Sequence, residues 1–395
     1  MNVDISIVRR RIIQLTLSVC LAVVLGIPGL VRGEQPAAIG PYVQNVGTSS
    51  AVICWATVNG EVTVAPPVGK DASFRDYEVH SIVLRGLKPG TTYTYSVPGD
   101  AGQCSFTTVP KGEQPFSFCV TSDTQNRDNG AHRSTVERLM TDPPDMLFIA
   151  GDLVSDGRNI GDWEEFFRVQ GPLLRRVPCY AVLGNHDRHS DWYFRFFALP
   201  GNEAYYSFDR GSAHFVVLDS PGLYMPEDNQ SVTAADRERF ERQSQQYWQE
   251  QMQWFKDDLS GRADAKYIFV FFHYPIYSVL ASRVEFSNGL RTRFGTVFQD
   301  HRVTAVFNGH DHHYHREVAG GVHFVDGGAA GGKARAIDAP IPPETVKRAV
   351  VESFMRVEVG PQRAKVRVTD VAGNTVDEFE LSPRLQPATS EPGPG

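Results

Sequence analysis

Residues 179 to 187 read CYAVLGNHD, an apolar run followed by Gly184-Asn185-His186-Asp187. Such a run is typical of a buried β-strand, and Asn, His and Asp are side chains that bind metal ions. The same succession occurs four more times along the chain. The runs are 116–121, 146–150, 267–272 and 303–307, and the polar motifs that follow them are Ser122-Asp123-Thr124-Gln125, Gly151-Asp152, His273 and Gly309-His310-Asp311-His312. In an open α/β sheet the carboxyl ends of the strands line one crevice, so we expect the five motifs to meet there.

The side chains in these motifs indicate which ions could bind. Carboxylate, amide oxygen and imidazole suit hard to borderline ions such as Mn, Fe or Zn, and the absence of cysteine from every motif argues against a thiolate site. Six or seven candidate ligands exceed the four that one tetrahedral ion needs. Two ions about 3.5 to 4 Å apart, bridged by one carboxylate, would use them all, as in phosphatases and nucleases. The pattern therefore predicts metal-assisted hydrolysis of a phosphate ester.

In order along the chain, Asp-x-Gln, Gly-Asp, Gly-Asn-His-Asp, Val-x-x-His and Gly-His-Asp-His resemble the motifs of the calcineurin-like metallophosphoesterase superfamily, and most of all its purple acid phosphatase branch. The resemblance covers residues 114–382 and implies a layered α/β (α+β) metallophosphoesterase sandwich. It implies that His186 faces the scissile phosphate, as an acid or a stabiliser of charge, and that Asp187 orients it. The implied ligands are Asp123, Gln125, Asp152 and His312 for the first ion and Asp152, Asn185, His273 and His310 for the second, with Asp152 as the bridge.

Two positions depart from the family pattern. Gln125 stands where the wider superfamily usually has His, so a harder and weaker amide oxygen replaces an imidazole nitrogen. Ser155 stands where the purple branch has Tyr, so no tyrosinate is available for charge transfer to iron. We therefore expect a colourless enzyme whose first site is less selective for ferric iron.

The resemblance implies a phosphomonoesterase with two divalent or trivalent ions and a metal-bound hydroxide as the nucleophile. A phosphodiesterase or nucleotidase is an alternative, because nothing in the sequence identifies the leaving group. Another alternative is a non-catalytic extracytoplasmic binding protein in which Gln125 weakens the metal site. For the enzyme, the expected partner is a small phosphorylated substrate. The sequence leaves the oligomeric state open.

Residues 1–33 have the features of a secretory signal peptide, with three arginines at 9–11, an apolar run and a small residue, Gly33, at a cleavage position. Cleavage would leave a secreted or periplasmic protein without a transmembrane span. An uncleaved membrane anchor stays an alternative, because residues 12–31 are nearly long enough to span a bilayer. Removing the segment takes away four Arg and one Asp, so the formal net charge changes from −7 to −10. Such an acidic chain offers no general nucleic-acid-binding surface.

Residues 39–110 are predicted to form an all-β sandwich, because short strands at 51–57, 81–87 and 92–97 alternate with turn signals such as Pro66-Pro67. Residues 41–45, Trp55 and residues 87–95 resemble the fibronectin-III-like domain that precedes the catalytic domain in purple acid phosphatases. Cys54 and Cys104 lie near opposite ends of this unit. A disulfide between them and two free thiols are equally expected.

The rest of the chain is predicted to alternate helices and strands. Helices are expected at 134–140, 163–169 and 233–259, and strands after the last motif at 322–326, 350–359, 364–369 and 375–381. Residues 383–395 are rich in Pro, Ser and Gly and are predicted to be disordered. His313 and His315 could face the substrate or lie on a solvent-exposed loop. For Tyr274 and Arg316, local packing or a surface ion pair is favoured over a contact with phosphate.

Overall fold

The computed structural model describes residues 12–14, 37–68, 71–100, 102–125, 130–223 and 233–384. Its strands are β1 Ile12–Gln14, β2 Ala37–Gln44, β3 Ser50–Val68, β4 Asp71–Arg85, β5 Thr92–Tyr95, β6 Cys104–Thr107, β7 Phe116–Thr121, β8 Met146–Ile149, β9 Cys179–Ala181, β10 Tyr206–Arg210, β11 Ala213–Val217, β12 Tyr267–Phe271, β13 Ala305–Asn308, β14 Tyr314–Ala319, β15 Val322–Gly327, β16 Thr345–Ala349, β17 Ser353–Val359, β18 Ala364–Asp370 and β19 Thr375–Leu381. Its helices are α1 Ala131–Thr141, α2 Ile160–Leu174, α3 Asp191–Phe196, α4 Ala234–Ser260 and α5 Val284–Asp300.

Two large sheets form the centre of the chain from β7 onward. One has six strands in the order β19-β18-β17-β7-β8-β9, and the other has seven in the order β10-β11-β12-β13-β15-β14-β16. β7, β8 and β9 are parallel neighbours, and so are β11, β12 and β13. Parallel strands end at the same edge of their sheet, which brings the residues that follow them together.

An aromatic core joins the two sheets face to face. Phe118 of β7 contacts Phe269 of β12 with ring centroids 5.1 Å apart, and Phe148 of β8 stacks on Phe271 of β12 at 3.9 Å. These rings are fully buried. Since buried apolar area is the main favourable term in folding, this layer fixes the distance and register between the sheets.

Alternate residues of β12 serve different layers, because successive side chains of a strand point to opposite faces. Ile268 and Val270 lie in a second core with Phe255 of α4 and Phe294 of α5. Helices therefore cover the outer face of the seven-stranded sheet. On the other side, residues of α1 and α2 are buried in the same core as the six-stranded sheet. The result is the layered α/β sandwich that the sequence predicts.

An antiparallel β region precedes this sandwich, as expected. β2, β3 and β4 form one sheet, to which β1 adds in parallel, and β5 pairs with β6 in another. Trp55 and Ile53 of β3 share a small core with Tyr95 and Phe106 from the two-stranded sheet. The hairpin of β3 and β4 is longer than predicted, because Pro66-Pro67 lies inside β3 rather than between strands. The pairing register shifts between Thr63 and Val68, an irregularity of the kind that tolerates proline.

Specific bonds attach this β region to the larger sandwich. The Tyr42 hydroxyl donates to the carbonyl of Phe196 at 2.8 Å. Arg175, at the end of α2, pairs with Asp100 at 2.9 Å, and its own carbonyl accepts from the Tyr95 hydroxyl at 2.9 Å. Tyr42 also lies in the main hydrophobic core. The two regions have separate sheets but share buried surface.

The cysteines of the β region are free thiols, so the disulfide considered above is not formed. Cys54 donates its thiol to Gln44 Oε1 at 3.8 Å, whereas Cys104 accepts from Arg175 Nη1 at 3.3 Å. The two residues lie in different sheets and have different partners. Burial raises the pKa of the Cys104 thiol, which keeps it protonated and unreactive near neutral pH.

Both ends of the chain fall largely outside the described residues. The predicted signal peptide, residues 1–33, does so apart from β1, and the predicted disordered tail does so from residue 385. Arg384 is fixed, because its backbone N–H donates to the Lys266 carbonyl at 2.7 Å and its Nη1 to the Ala265 carbonyl at 2.9 Å. In the described ranges, no helix is both long and apolar enough to cross a membrane.

Candidate metal centre

All five sequence motifs lie just beyond the carboxyl ends of strands. Asp123 follows β7, Asp152 follows β8, Asn185 follows β9, His273 follows β12 and His310 follows β13. Three of these strands belong to one sheet and two to the other. The motifs therefore approach one point from both halves of the sandwich, at its rim.

One group of side chains converges around Asp123, Gln125 and His312. His312 Nε2 lies 3.2 Å from Asp123 Oδ1 and 3.4 Å from Gln125 Nε2. The same Gln125 nitrogen lies 3.3 Å from Asp152 Oδ2. Rotating the Gln125 amide by half a turn exchanges its nitrogen with its oxygen and aims Oε1 at this group. These four residues are the ones expected at the first ion.

A second group converges on His273. Its Nε2 lies 3.2 Å from Asp152 Oδ2, 3.2 Å from Asn185 Oδ1 and 3.2 Å from His310 Nδ1. These four residues are the ones expected at the second ion. Asp152 Oδ2 is common to the two groups, which is the position of a bridging oxygen.

The donor set fits a pair of metal ions. Ligand atoms bound to one ion at about 2.0 to 2.2 Å lie about 3 Å apart, which is close to the spacings found here. Asp123 Oδ1 is buried and has no hydrogen-bond partner among the described residues. A buried oxygen without a partner is costly unless an ion or water completes its coordination. Once the Gln125 amide is rotated so that Oε1 faces the group, the seven side chains fit the binding of two ions.

The surrounding backbone directs each candidate ligand. His273 Nδ1 donates to the Ala150 carbonyl at 2.8 Å and His312 Nδ1 to the Lys333 carbonyl at 3.0 Å, which leaves both Nε2 lone pairs facing the cluster. Asp123 and Asp152 each use one carboxylate oxygen to accept a backbone hydrogen bond and leave the other facing the cluster. Asp123 Oδ2 accepts from the backbone N–H of His310 at 2.9 Å, and Asp152 Oδ1 accepts from that of His186 at 2.8 Å.

Four of the candidate ligands have left-handed backbone. The φ angles are 52° at Asp123, 53° at Asp152, 74° at His310 and 56° at His312. Non-glycine residues rarely adopt this conformation, and it persists where the surroundings hold it in place, commonly at functional sites. The left-handed backbone at these four residues therefore supports a functional site at this rim.

Gly184 lies directly against the Asp152 backbone and yields a prediction. A Cβ at this position would lie 2.1 Å from the Asp152 nitrogen, whereas a Cβ at Gly289 of α5 would have no neighbour within 4 Å. We expect Gly184→Ala to push the Asp152 loop away, lower the free energy of unfolding by about 1 to 3 kcal/mol and reduce the metal content. Gly289→Ala, the matched control, should be neutral or stabilising. Urea unfolding and metal analysis measure both effects; equal behaviour of the two variants would contradict this account of the loop.

His186 stands at the solvent side of the cluster. Its Nδ1 donates to the Ser155 carbonyl at 2.7 Å, and its Nε2 lies 3.9 Å from Asp152 Oδ2. The side chain is 39% exposed, unlike the fully buried His273, so it can meet a substrate that arrives from solvent.

The orienting role expected for Asp187 is replaced by a different one. Asp187 accepts backbone N–H bonds from Asp152 at 3.0 Å, Leu153 at 3.0 Å and Gly184 at 2.8 Å. Asp187 therefore joins the loop after β8 to the loop after β9 through hydrogen bonds. The His186 ring is oriented instead by its hydrogen bond to the Ser155 carbonyl. Burial and the charge of Asp152 raise the pKa of Asp187.

The titratable groups of the cluster are strongly perturbed. Burial alone would lower the pKa of His273, but the Asp152 carboxylate outweighs it and raises this pKa to about 9. Burial opposes ionisation of Asp123, yet His312 brings the pKa of Asp123 below its usual range. Burial and His273 lower the pKa of His310. Because an imidazole must be deprotonated at the nitrogen that binds an ion, metal binding at His273 competes with protonation.

The weaker candidates have other roles. The Tyr274 ring packs between His310 and Phe286, at centroid distances of 4.3 Å and 5.1 Å, as favoured from the sequence. Arg316 pairs with Asp377 at 2.8 Å, but the pair is largely buried rather than on the surface. His313 and His315 are fully buried, so both predictions for them, substrate contact and an exposed loop, are wrong. Asp326 is a buried polar residue that the sequence pattern does not single out, because it lies inside a strand rather than after one.

The chain resembles known phosphoesterases and acid phosphatases in sequence. The family model of the calcineurin-like phosphoesterases matches residues 116–314. The chain is 27% identical over 285 residues to purple acid phosphatase 23 of Arabidopsis thaliana, covering 60% of this chain and 57% of the relative. It is 26% identical over 273 residues to mouse acid phosphatase type 7, covering 61% of this chain and 57% of the relative. The match thus spans little more than half the length of these relatives.

Solved structures share the fold. A purple acid phosphatase from yellow lupin seeds aligns with a TM-score of 0.68 at 16% identity, covering 89% of this chain and 75% of that one. GAP50, the anchor in the inner membrane complex of Plasmodium, aligns with a TM-score of 0.54 at 15% identity, covering 69% of this chain and 90% of that one. At such identities the likeness concerns the fold alone, and the function has to be argued from the site.

Proposed function

Since the chain belongs to the calcineurin-like phosphoesterase family, we propose that it is a binuclear-metal phosphoesterase, and more specifically a phosphomonoesterase. The observation that carries the proposal is the position of Asp152 Oδ2, which lies 3.2 Å from His273 Nε2 in one ligand group and 3.3 Å from Gln125 Nε2 in the other. One carboxylate oxygen shared by two groups of ligands is the arrangement that a two-ion phosphatase requires.

The proposed cofactors are two ions of Fe, Mn or Zn. Asp123, Gln125, Asp152 and His312 would hold one, and Asp152, Asn185, His273 and His310 the other. When bound, such a pair polarises a phosphoryl group and lowers the pKa of a water molecule enough for attack near neutral pH. No serine or cysteine nucleophile is then required.

The proposed role of His186 follows from its position. Its Nδ1 is committed to the Ser155 carbonyl, so the ring presents Nε2 to the space above Asp152. A proton held at Nε2 can pass to the leaving oxygen or stabilise charge on the phosphoryl group. Asp187 supports this indirectly, because it fixes the loop from Gly184 that carries His186.

We further propose an extracytoplasmic location, which rests on the signal-peptide features of residues 1–33, and a fibronectin-III-like character for the β region within residues 39–110. The burial of Tyr42 and its bond to Phe196 favour a structural role for this region beside the catalytic part. Its hydrogen bonds and its ion pair reach the end of α2, helix α3 and the residues just after α3, none of which is a proposed metal ligand.

The test is hydrolysis of p-nitrophenyl phosphate against bis(p-nitrophenyl) phosphate by the metal-loaded protein. The proposal predicts a higher kcat/KM for the monoester. A preference for the diester would favour a phosphodiesterase on the same scaffold. One or no bound ion at this centre, without turnover of either compound, would favour the non-catalytic alternative.

A further inference from the structure

A second group of metal-binding side chains lies beside the proposed binuclear centre. It consists of Asp311, His313 and Asp326, and each offers one ligand atom within 4.8 Å of the other two. None of the three belongs to the seven ligands described above. Asp311 lies between His310 and His312 in sequence. His310 and His312 have left-handed backbone, with φ of 74° and 56°, so the segment bends sharply here. Asp311 therefore belongs to a different group of side chains from its two neighbours in sequence.

The group is buried and its polar atoms lack partners. Asp311 and His313 are 0% exposed and Asp326 is 3% exposed. Both ring nitrogens of His313 and both carboxylate oxygens of Asp326 are without a hydrogen bond in the described part of the chain. The backbone of Arg335 lies near the His313 ring without completing a bond of normal geometry. Buried polar groups are nearly always satisfied, so four such atoms in one place indicate an occupant.

The charges at this position favour a cation. Asp311 accepts from Ser278 Oγ at 2.5 Å and from Arg283 Nη1 at 2.8 Å, so one guanidinium balances it. Nearby, Glu317 pairs with His315 at 2.5 Å. No ion pair of Asp326 occurs within the described ranges. A carboxylate buried without a counter-charge is unfavourable, and a bound divalent ion supplies one.

The strand register explains why Asp326 meets this group. β14 and β15 are antiparallel, and Asp326 lies opposite His315, two residues beyond His313. β13 and β15 are parallel, with Asp326 beside Asn308 at the end that leads into the Gly309 turn. This pairing places Asp326 near the start of β14, which His313 directly precedes, and beside the end of β13 that leads to Asp311.

We propose that Asp311, His313 and Asp326 bind a third metal ion, separate from the binuclear pair. Two carboxylates and one imidazole suit Zn²⁺, Mn²⁺ or Fe²⁺, and three protein ligands with water completing the shell are common for such ions. Arg283 connects this site with the binuclear one, because its Nη1 donates both to Asp311 Oδ1 and to the His310 carbonyl. The buried third ion stabilises the turn between the two histidine ligands. The proposal does not depend on the chain being catalytic.

The experiment counts metal equivalents per chain in the full protein after loading with Zn²⁺ or Mn²⁺ and removal of free ion. Wild type should hold three equivalents, His313→Leu two and Asp152→Ala one. His323→Leu is the matched control, since this histidine of β15 stacks on Phe379 and lies outside both groups, and it should hold three. Unchanged stoichiometry in His313→Leu would overturn the proposal, as would two equivalents in wild type.

Crystals of the loaded wild-type protein provide a measurement that does not depend on the folding of a variant. Anomalous difference density between Asp311, His313 and Asp326 is expected, and its absence at full occupancy of the binuclear pair would refute the third site. Failure of the two proposals is distinguishable, because a single equivalent that disappears in His313→Leu and persists in Asp152→Ala supports the third site and excludes the binuclear one.

Discussion

Asp152→Ala should abolish metal binding at both ions of the binuclear centre and lower kcat/KM for p-nitrophenyl phosphate by at least about 1000-fold. The reason is that Asp152 Oδ2 belongs to both ligand groups, so its removal takes one ligand from each ion. Charge stabilisation by the ions contributes several kcal/mol, and about 4 kcal/mol corresponds to this factor. Metal analysis and steady-state kinetics on the same preparation measure the two effects.

The matched control for Asp152→Ala is Asp300→Ala. Asp300 is an exposed aspartate at the end of α5, far in sequence from every ligand motif except the last, and its removal should leave turnover and metal content unchanged. Loss of turnover in Asp152→Ala with both ions retained would show that Asp152 is not a bridge. Retention of turnover in Asp152→Ala would show that the proposed metal centre does not take part in the reaction.

His186→Asn should lower kcat by about 100- to 10,000-fold while both ions stay bound, which is the usual contribution of a positioned acid or base. The ring is held by Ser155, its Nε2 reaches the open side of the cluster, and it is not needed to coordinate an ion. A side chain that protonates the leaving group matters most when that group is a poor one. The loss should therefore be larger for glycerol 2-phosphate than for p-nitrophenyl phosphate.

His301→Asn controls for this second prediction. His301 is the residue at the carboxyl end of α5, and its substitution should leave kcat and its dependence on the leaving group as in wild type. If His186→Asn lost activity equally on both substrates, its role would be stabilisation of phosphoryl charge rather than proton donation. Loss of bound metal in His186→Asn would place it among the ligands and contradict the account.

The convergence of the five motifs could be predicted because it depends on local rules. β7 has the predicted bounds, and β8, β9, β12 and β13 lie within two residues of the predicted ends, since apolar runs mark buried strands well. The parallel arrangement then brings the following residues to one rim without any knowledge of distant contacts. What each motif residue touches could not be predicted in the same way.

Asp187 and His313 show where local rules stop. Asp187 follows His186 directly, but its carboxylate turns inward to backbone N–H groups of the loops after β8 and β9. His313 looks like part of a polar loop, yet it directly precedes β14, which pairs with β15 on one side and with β16 on the other, and its side chain is buried. The position of a strand within a sheet is a property of the whole chain. Polar residues on interior strands are therefore easily mistaken for surface residues.

Helix α5 was missed for a different reason. Its sequence contains Gly289 and Gly295, and glycine is a poor helix former. Tertiary packing outweighs this propensity, because Phe294 and Phe298 on one face are buried against the outer side of the seven-stranded sheet. Pro66 inside β3 is a comparable case, since an irregular pairing register accommodates a residue that usually ends a strand.

The measurement that tests the central claim most directly is a crystal structure of the metal-loaded protein with anomalous data at the absorption edge of the bound metal. We predict two peaks about 3.5 to 4 Å apart, both within bonding distance of Asp152 Oδ2, one also bound by His312 Nε2 and the other by His273 Nε2. A single peak at this rim, or two peaks with no common ligand, would contradict the account.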